Sequence, residues 1–202
     1  MVITGVWYAL ALTALGAATG YLTKNIWLGL PFYILAVFCL WFFRDPERVV
    51  PPGNVAVSPA DGKVVSLTTD PDGRKRLGIF LNVFDVHVNR SPIAGTITRR
   101  TYKPGKFLVA SKDEAGTENE QNTFVVSGDG TSIEFSQIAG LIARRIVWYK
   151  DQGAQVAKGE RIGLIKFGSR VDVLFNDDWK ITVAPGQRVS AASSIIAERV
   201  RK

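Results

Sequence analysis

The sequence predicts a mainly β protein, in which a compact β-barrel or sandwich body follows an N-terminal hydrophobic helical hairpin. Residues 1–43 carry a single charge, Lys24, between two apolar runs. From residue 54 onward, short stretches rich in Val, Ile, Phe and Thr alternate with turn signals such as "DPDGR", "SGDGT" and "APGQR". The polar stretch 111–122 is predicted as a loop, and the tail 190–202 fits either a last strand or a short helix. We therefore divide the chain into a membrane hairpin (1–43), a linker (44–53) and a body (54–202).

The apolar runs span 6–22 and 26–43, and each is near the lower limit for crossing a bilayer, roughly 17–25 residues. The residues between them fit only a tight turn, so the pattern predicts a hairpin in the cell membrane. Arg44 and Arg48 follow the second run and outnumber Lys24, which favours the cytoplasmic side for the body. A cleaved signal peptide and an interfacial hairpin that enters only one leaflet are the alternatives.

Composition narrows the function classes. The net charge is +7, which suits either nucleic acid or an anionic membrane surface. Because the hairpin favours the membrane, we expect an anionic lipid surface and no nucleic acid as partner. The only cysteine is Cys39 and the only histidine is His87, so we expect no disulfide within the chain and no metal site.

Residues 150–168 contain the rhythm Gly-x-x-Val-x-x-Gly-x-x-Ile-Gly. This rhythm resembles that of biotinyl and lipoyl carriers, which implies a body like a barrel-sandwich hybrid. The carriers modify a lysine in a hairpin, usually flanked by Met or Asp, and neither Lys158 nor Lys166 has that context. The rhythm therefore supports the fold and not the carrier function.

His87 is the first candidate for chemistry. Strand alternation in "FDVHVN" predicts Asp85, His87 and Asn89 on one face. Imidazole suits proton transfer near neutral pH, although a lone histidine on a strand is usually a surface or hydrogen-bonded residue. Asp61, in "ADG", is a common turn residue, and it is also a carboxylate that could orient a histidine.

Gly168 and Ser169 interrupt a strand-like pattern in "GLIKFGSRVDVLF". Such a pair indicates a bulge, a turn or a reactive backbone. Glycine permits the unusual backbone angles that would let the Ser169 hydroxyl reach the Gly168 carbonyl carbon.

Several segments together resemble the short form of phosphatidylserine decarboxylase. They are "SPADGKVVS", "FLNVFDVHVNRSPIAG", "ENEQNTFVV", "QIAGLIARRIV", "ERIGLIKFGSRVDVLF" and the apolar N-terminus that ends in "FFRDPER". The resemblance covers nearly the whole chain in order.

The resemblance implies a precursor that cleaves itself between Gly168 and Ser169 into chains 1–168 and 169–202. Ser169 would become a covalent pyruvoyl cofactor. Its ketone would form a Schiff base with the amine of phosphatidylserine, and loss of carbon dioxide would give phosphatidylethanolamine.

The family's residue roles transfer to matching positions. Asp61 matches the aspartate of the cleavage relay, and His87 matches a histidine linked to decarboxylation. Arg90 stands where longer bacterial forms carry a second histidine, which completes their relay. Either His87 serves both steps, which we prefer, or cleavage uses no histidine base. The candidates for gripping the lipid phosphate, or alternatively for a solvated basic face, are Arg90, Arg144, Arg145 and Lys166.

Two other functions stay open at this point. One is an archaetidylserine decarboxylase or another serine-lipid decarboxylase, because the motifs do not distinguish lipid backbones. The other is a non-enzymatic, membrane-anchored β-module that is never cleaved. An oligomer is compatible with the sequence, which does not set the number of subunits.

Overall fold

The protein forms two compact units, Met1–Glu47 and Arg48–Lys202. The computed structural model describes residues 1–109, 115–141, 145–166 and 168–200.

The N-terminal unit is the predicted helical hairpin. Helix α1 (Ile3–Thr23) is followed by a 3₁₀ turn (Ile26–Leu28) and helix α2 (Leu30–Phe42). Helix α1 ends at Lys24, whose left-handed backbone (φ 52°) lets its N–H bond back to carbonyls of the last turn.

Glycines let the two helices of this unit approach closely. A Cβ added to Gly29 would lie 2.6 Å from the Gly16 carbonyl oxygen, so a larger residue there would push the helices apart. By length and composition α1, with 21 residues and a mean hydropathy of 1.3, could cross a membrane, whereas the apolar stretch Ile26–Phe42 is shorter. A crossing by the second helix therefore stays a prediction.

The body is built from short strands, and its mainly β character is confirmed. The strands of the described residues are β1 (Val55–Val57), β2 (Gly62–Thr69), β3 (Lys75–Leu81), β4 (Val88–Arg90), β5 (Gly95–Lys103), β6 (Gln121–Gly128), β7 (Thr131–Ala139), β8 (Ile146–Trp148), β9 (Gln155–Val156), β10 (Arg161–Ile165), β11 (Ser169–Phe175), β12 (Trp179–Ile181), β13 (Arg188–Val189) and β14 (Ile195–Arg199). A single turn of helix, α3 (Ala115–Glu118), precedes β6.

Three antiparallel sheets enclose the core. The largest has the order β13-β2-β3-β11-β7-β6-β5-β9, and the smaller ones are β4-β10-β8 and β1-β14-β12. Strand β11 lies in the middle of the large sheet, and all seven of its residues are buried. The strand that follows Gly168 is therefore held on both sides by neighbours.

The turn signals in the sequence are confirmed. Asp129 (φ 49°) and Gly130 (φ 71°) form the two-residue connection between β6 and β7, in which both residues need positive φ. The "DPDGR" segment closes the β2–β3 hairpin, where Gly73 N–H donates to the Asp70 carbonyl at 2.9 Å.

Two local predictions were wrong. The "FDVHVN" strand begins only at Val88, because Asp85 instead closes a turn in which its side chain accepts from Asn82 N–H at 2.9 Å. The polar segment 111–122, predicted as a loop, includes α3 and the start of β6, although residues 111–114 lie outside the described residues. The C-terminal tail, left open as strand or helix, is strand β14.

Candidate active site

Ser169 begins strand β11 and is fully buried. It pairs with Leu81 of β3 on one side and Ala139 of β7 on the other. Within the described part of the chain its Oγ has no hydrogen-bond partner, which is unusual for a buried hydroxyl. Gly168, just before it, has φ +66°, a left-handed angle that glycine adopts without strain.

His87 lies against this peptide segment. It is fully buried, and its Nε2 is 3.2 Å from Gly168 N while its Nδ1 is 2.9 Å from the Asp85 carbonyl oxygen. A main-chain N–H can only donate and a carbonyl can only accept. Nε2 is therefore the unprotonated nitrogen and Nδ1 carries the proton. The neutral ring thus presents a proton acceptor beside the Gly168–Ser169 pair.

Asp85 fixes the orientation of this ring through its backbone. Its carboxylate accepts from Asn82 N–H and from the Arg188 guanidinium, so the carbonyl that holds His87 cannot turn away. The His87 carbonyl in turn accepts from Ile165 N–H at 3.3 Å, which continues the β4–β10 ladder. The support from Arg188, 103 residues away, left no signal in the sequence.

Asp61 has different partners from those that the resemblance implies. Both of its oxygens accept from Arg48 Nη2, at 2.9 and 2.8 Å, and Oδ1 also accepts from Ala191 N–H at 2.7 Å. The ion pair is mostly buried, with 14% and 15% of the two side chains exposed. Asp61 therefore connects Arg48 of the linker to the loop between β13 and β14.

Arg90 is also buried, with 6% exposure, and its Nη1 donates to the Gly159 carbonyl at 3.1 Å. The loop that receives it is fixed by Glu160. The Lys150 ammonium, 2.6 Å away, and Ala157 N–H hold the pKa of Glu160 below its usual range. The burial of Arg90 weighs against its contact with a lipid phosphate.

Two of the other predicted phosphate ligands lie near Gly168. Arg145 is exposed, and its carbonyl accepts from Lys166 N–H at 3.3 Å, which sets the two residues side by side. Lys166 is half-buried and precedes Gly168 by two residues. Arg144 lies outside the described residues.

The opposite face of β11 carries charges that sequence reasoning missed. Arg170 Nε donates to Asp172 Oδ1 at 2.5 Å, and Arg170 Nη2 donates to Ser66 Oγ at 2.9 Å. Gly78 makes room for this guanidinium, because a Cβ there would lie 2.6 Å from Arg170 Nη2. An Asp two residues after an Arg in a predicted strand was the available signal.

Buried amides were missed as well. Asn122 and Gln137 occupy core-facing positions in β6 and β7, next to Phe124 and Phe135 in the same alternation. A polar residue in the apolar register of a strand was the signal that could have identified them. Their contacts are described below.

No group of three or more His, Cys, Asp or Glu side chains that could hold a metal occurs within the described ranges. The Ser169 hydroxyl is buried without a hydrogen-bond partner among the described residues, and it follows a glycine in a left-handed conformation.

Comparison with known proteins identifies the family of the chain. The family model described as phosphatidylserine decarboxylase matches residues 35–197. The chain is 62% identical over 200 residues to a phosphatidylserine decarboxylase proenzyme of Solibacter usitatus, covering 99% of this chain and 97% of the relative. Proteins of the same name in Nitratidesulfovibrio vulgaris and Cupriavidus taiwanensis are 50% and 43% identical; the matches cover 83% and 87% of this chain and 81% and 85% of the relatives. The chain therefore belongs to the phosphatidylserine decarboxylase family and is an enzyme of that family.

Proposed function

We propose that the chain is a precursor that cleaves itself between Gly168 and Ser169 and then converts phosphatidylserine to phosphatidylethanolamine. The observation that carries the proposal is the contact of His87 Nε2 with Gly168 N, beside a buried Ser169 Oγ without a partner. The word "proenzyme" in the relatives' names supports a processing step.

In the proposed cleavage, Ser169 Oγ adds to the Gly168 carbonyl carbon and His87 Nε2 takes the hydroxyl proton. The peptide C–N bond then breaks, the proton passes to the Ser169 nitrogen, and an ester joins the two residues. His87 Nε2, unprotonated again, then takes the Ser169 α-proton. A Cα=Cβ bond forms as the Cβ–Oγ bond breaks, so Gly168 leaves as a carboxylate that keeps both oxygens. Water hydrolyses the resulting dehydroalanine to ammonia and a pyruvoyl group.

The second reaction would use the same residues. A pyruvoyl group at residue 169 would supply a ketone able to form a Schiff base with the substrate amine and to withdraw electrons as the carboxylate leaves. Strand β11 would hold residue 169 in place after the break, because Leu81 and Ala139 pair with it from both sides. His87 would donate from its ring the proton that replaces the carboxylate.

The substrate is proposed to come from the membrane that anchors the enzyme. Helix α1 suits an anchor, and Arg44, 4.0 Å above the Trp41 ring, suits a cytoplasmic membrane boundary. Phe84 and Leu141 are 67% and 58% exposed and lie near His87 and Ala139 along the chain, and we propose that they offer apolar surface to the lipid. We place the body on the cytoplasmic side of the cell membrane by this proposal.

Intact mass of the purified protein tests the proposal. We expect two chains in place of one of 22.1 kDa, with the smaller one lacking a free amino terminus. Ser169→Ala should remain whole and inactive. A wild-type chain that stays whole and releases no carbon dioxide from phosphatidylserine vesicles would overturn the proposal and favour a non-enzymatic module. Vesicles with ether-linked serine lipid distinguish an archaetidylserine decarboxylase.

Arg145 and Lys166 are proposed to bind the lipid phosphate. Alanine at either position should raise KM several-fold and leave kcat unchanged, since the lost contact is equal in ground and transition states. Lys180→Ala, an exposed lysine in the β1-β14-β12 sheet, is the matched control. If all three variants raise KM equally, the effect is general attraction to an anionic surface and not a phosphate site.

A further inference from the structure

A chain of buried amides runs through the core beside Ser169. Asn122 Nδ2 donates to Gln137 Oε1 at 3.0 Å, and Gln137 Nε2 donates to Asn89 Oδ1 at 2.9 Å. All three amide side chains are fully buried. Asn89 Nδ2 ends the chain and has no hydrogen-bond partner among the residues that the structure describes.

The direction of this amide chain is set at its other end. Arg100 Nη1 lies 3.4 Å from Asn122 Oδ1, and Arg100 is itself held by Asp151 at 2.6 Å and by the Trp148 ring at 4.5 Å. A guanidinium only donates, so Asn122 turns its oxygen to Arg100 and its NH₂ to Gln137. Each following amide accepts and then donates, so the chain must end in a donor.

Strand register brings the end of the amide chain near the scissile pair. Gln137 is opposite Val171, and Ala139 is opposite Ser169. Opposite residues of an antiparallel pair share a face, so Gln137 is a diagonal neighbour of Ser169, about 7–8 Å away. Asn89 is bonded to Gln137 and therefore lies in the same layer of the core.

Asn89 and His87 both lie along β10, because Asn89 pairs with Gly163 and the His87 carbonyl accepts from Ile165 N–H, two residues further along that strand. His87 contacts Gly168 from there. A buried donor without an acceptor costs free energy in the folded state. An acceptor that forms only during the reaction explains why such a donor is held there.

We propose that Asn89 Nδ2 donates a hydrogen bond to the oxyanion that forms on the Gly168 carbonyl during cleavage. The inference rests on the proposed function. When Ser169 Oγ adds to the carbonyl carbon, its π electrons move to the Gly168 oxygen, and the Asn89 N–H stabilises that charge without transferring a proton. The hydrogen bond is released when the C–N bond breaks and the carbonyl re-forms. Asn122 and Gln137 act as positioning residues.

The test is a time course of chain cleavage after cell-free synthesis. Removal of one oxyanion donor lowers rates about 10²–10³-fold, and we expect this slowing for Asn89→Leu. Asn89→Asp keeps the acceptor for Gln137 but replaces the donor with a carboxylate, so it should slow cleavage at least as much. Ser136→Ala is the matched control, because Ser136 and Thr123 bond at 2.7 Å between the same two strands, one residue along.

Folding is measured separately, by thermal unfolding of each variant in an uncleavable Ser169→Ala chain. Cleavage of Asn89→Leu within threefold of wild type would overturn this inference, as would normal cleavage followed by loss of decarboxylation. Slowing in proportion to lost stability, matched by Ser136→Ala, would also overturn it. A wild-type chain that stays whole would instead reject the proposed function, so the two failures are distinguishable.

Discussion

The two faces of strand β11 differ in how their polar groups are satisfied. On the core face, Ser169 Oγ is buried without a hydrogen-bond partner among the residues that the structure describes. On the opposite face, which we call the charged face, Arg170 binds both Asp172 and Ser66, and Arg76 lies 3.5 Å from Asp172. Neighbouring residues of one strand thus differ in whether their polar side-chain atoms are hydrogen-bonded.

The difference indicates that the groups that stabilise β11 in the sheet and the group proposed to react lie on opposite faces of the strand. The charged face and the seven register pairs on each side fix β11 in the sheet, and they do not depend on the bond before Ser169. On the core face, Ser169 follows Gly168 in the chain, and Gly168 N–H donates to His87 Nε2. A break in the chain at this point would leave the new terminus in position.

The largest expected effect concerns the core face. His87→Ala should slow cleavage by about 10²–10⁴-fold, since a positioned general base is lost. Added imidazole should restore part of the rate, which a purely structural defect would not allow. Ser66→Ala, which removes a hydroxyl from the charged face, should cleave at the wild-type rate. Time courses on gels provide the measurement; unchanged cleavage in His87→Ala would mean that no histidine base is used.

Substitutions on the charged face should lower the free energy of unfolding rather than the cleavage rate. Asp172→Asn leaves Arg170 buried without its charge partner, which should lower the free energy of unfolding by about 3–5 kcal/mol. Urea unfolding in a Ser169→Ala chain measures this without interference from cleavage. Asp72→Asn, in the exposed pair with Arg74, is the control and should leave stability unchanged. Equal effects of the two variants on the free energy of unfolding would contradict the stabilising role of the charged face.

Much of the fold could be predicted from the sequence because its signals are local. Apolar length predicts the hairpin, and turn residues such as Asp129-Gly130 predict where strands end. The Gly168-Ser169 pair was identified because it breaks a strand pattern at one position.

The remaining features depend on residues far apart in the chain. Asp61 and Arg48 are separated by 13 residues, and Arg90 and the Gly159 carbonyl by 69. Such pairs form only when the sheets close, so charged residues that a linear pattern assigns to the surface become buried. The amide chain ending at Asn89 likewise joins three strands, so the core-facing positions of Asn122 and Gln137 can be recognised within each strand but their bonds to one another cannot.

The resemblance assigns Asp61 to the cleavage relay. Its substitution tests whether Asp61 takes part in cleavage or stabilises the fold. Its bonds to Arg48 and Ala191 favour a stabilising role, so Asp61→Asn should lower the free energy of unfolding by about 1–3 kcal/mol. Cleavage should slow less than tenfold. Arg48→Leu should match it, since the two act as one pair. A loss of cleavage as large as that of His87→Ala would instead assign Asp61 to the relay.

The smallest expected effect concerns the backbone at the boundary of the core face. Apart from its chain neighbours, no described residue lies within 4 Å of a Cβ added at Gly168, so Gly168→Ala is expected to change conformational preference rather than packing. A left-handed residue other than glycine costs about 1–2 kcal/mol, so the reactive conformation should become about 5–30 times rarer and cleavage slower by that factor. Gly73→Ala, at φ +86° with equally open surroundings, carries the same strain in the β2–β3 turn. It should destabilise the fold without slowing cleavage, and slowing by both variants would show that cleavage follows global stability rather than the conformation of Gly168.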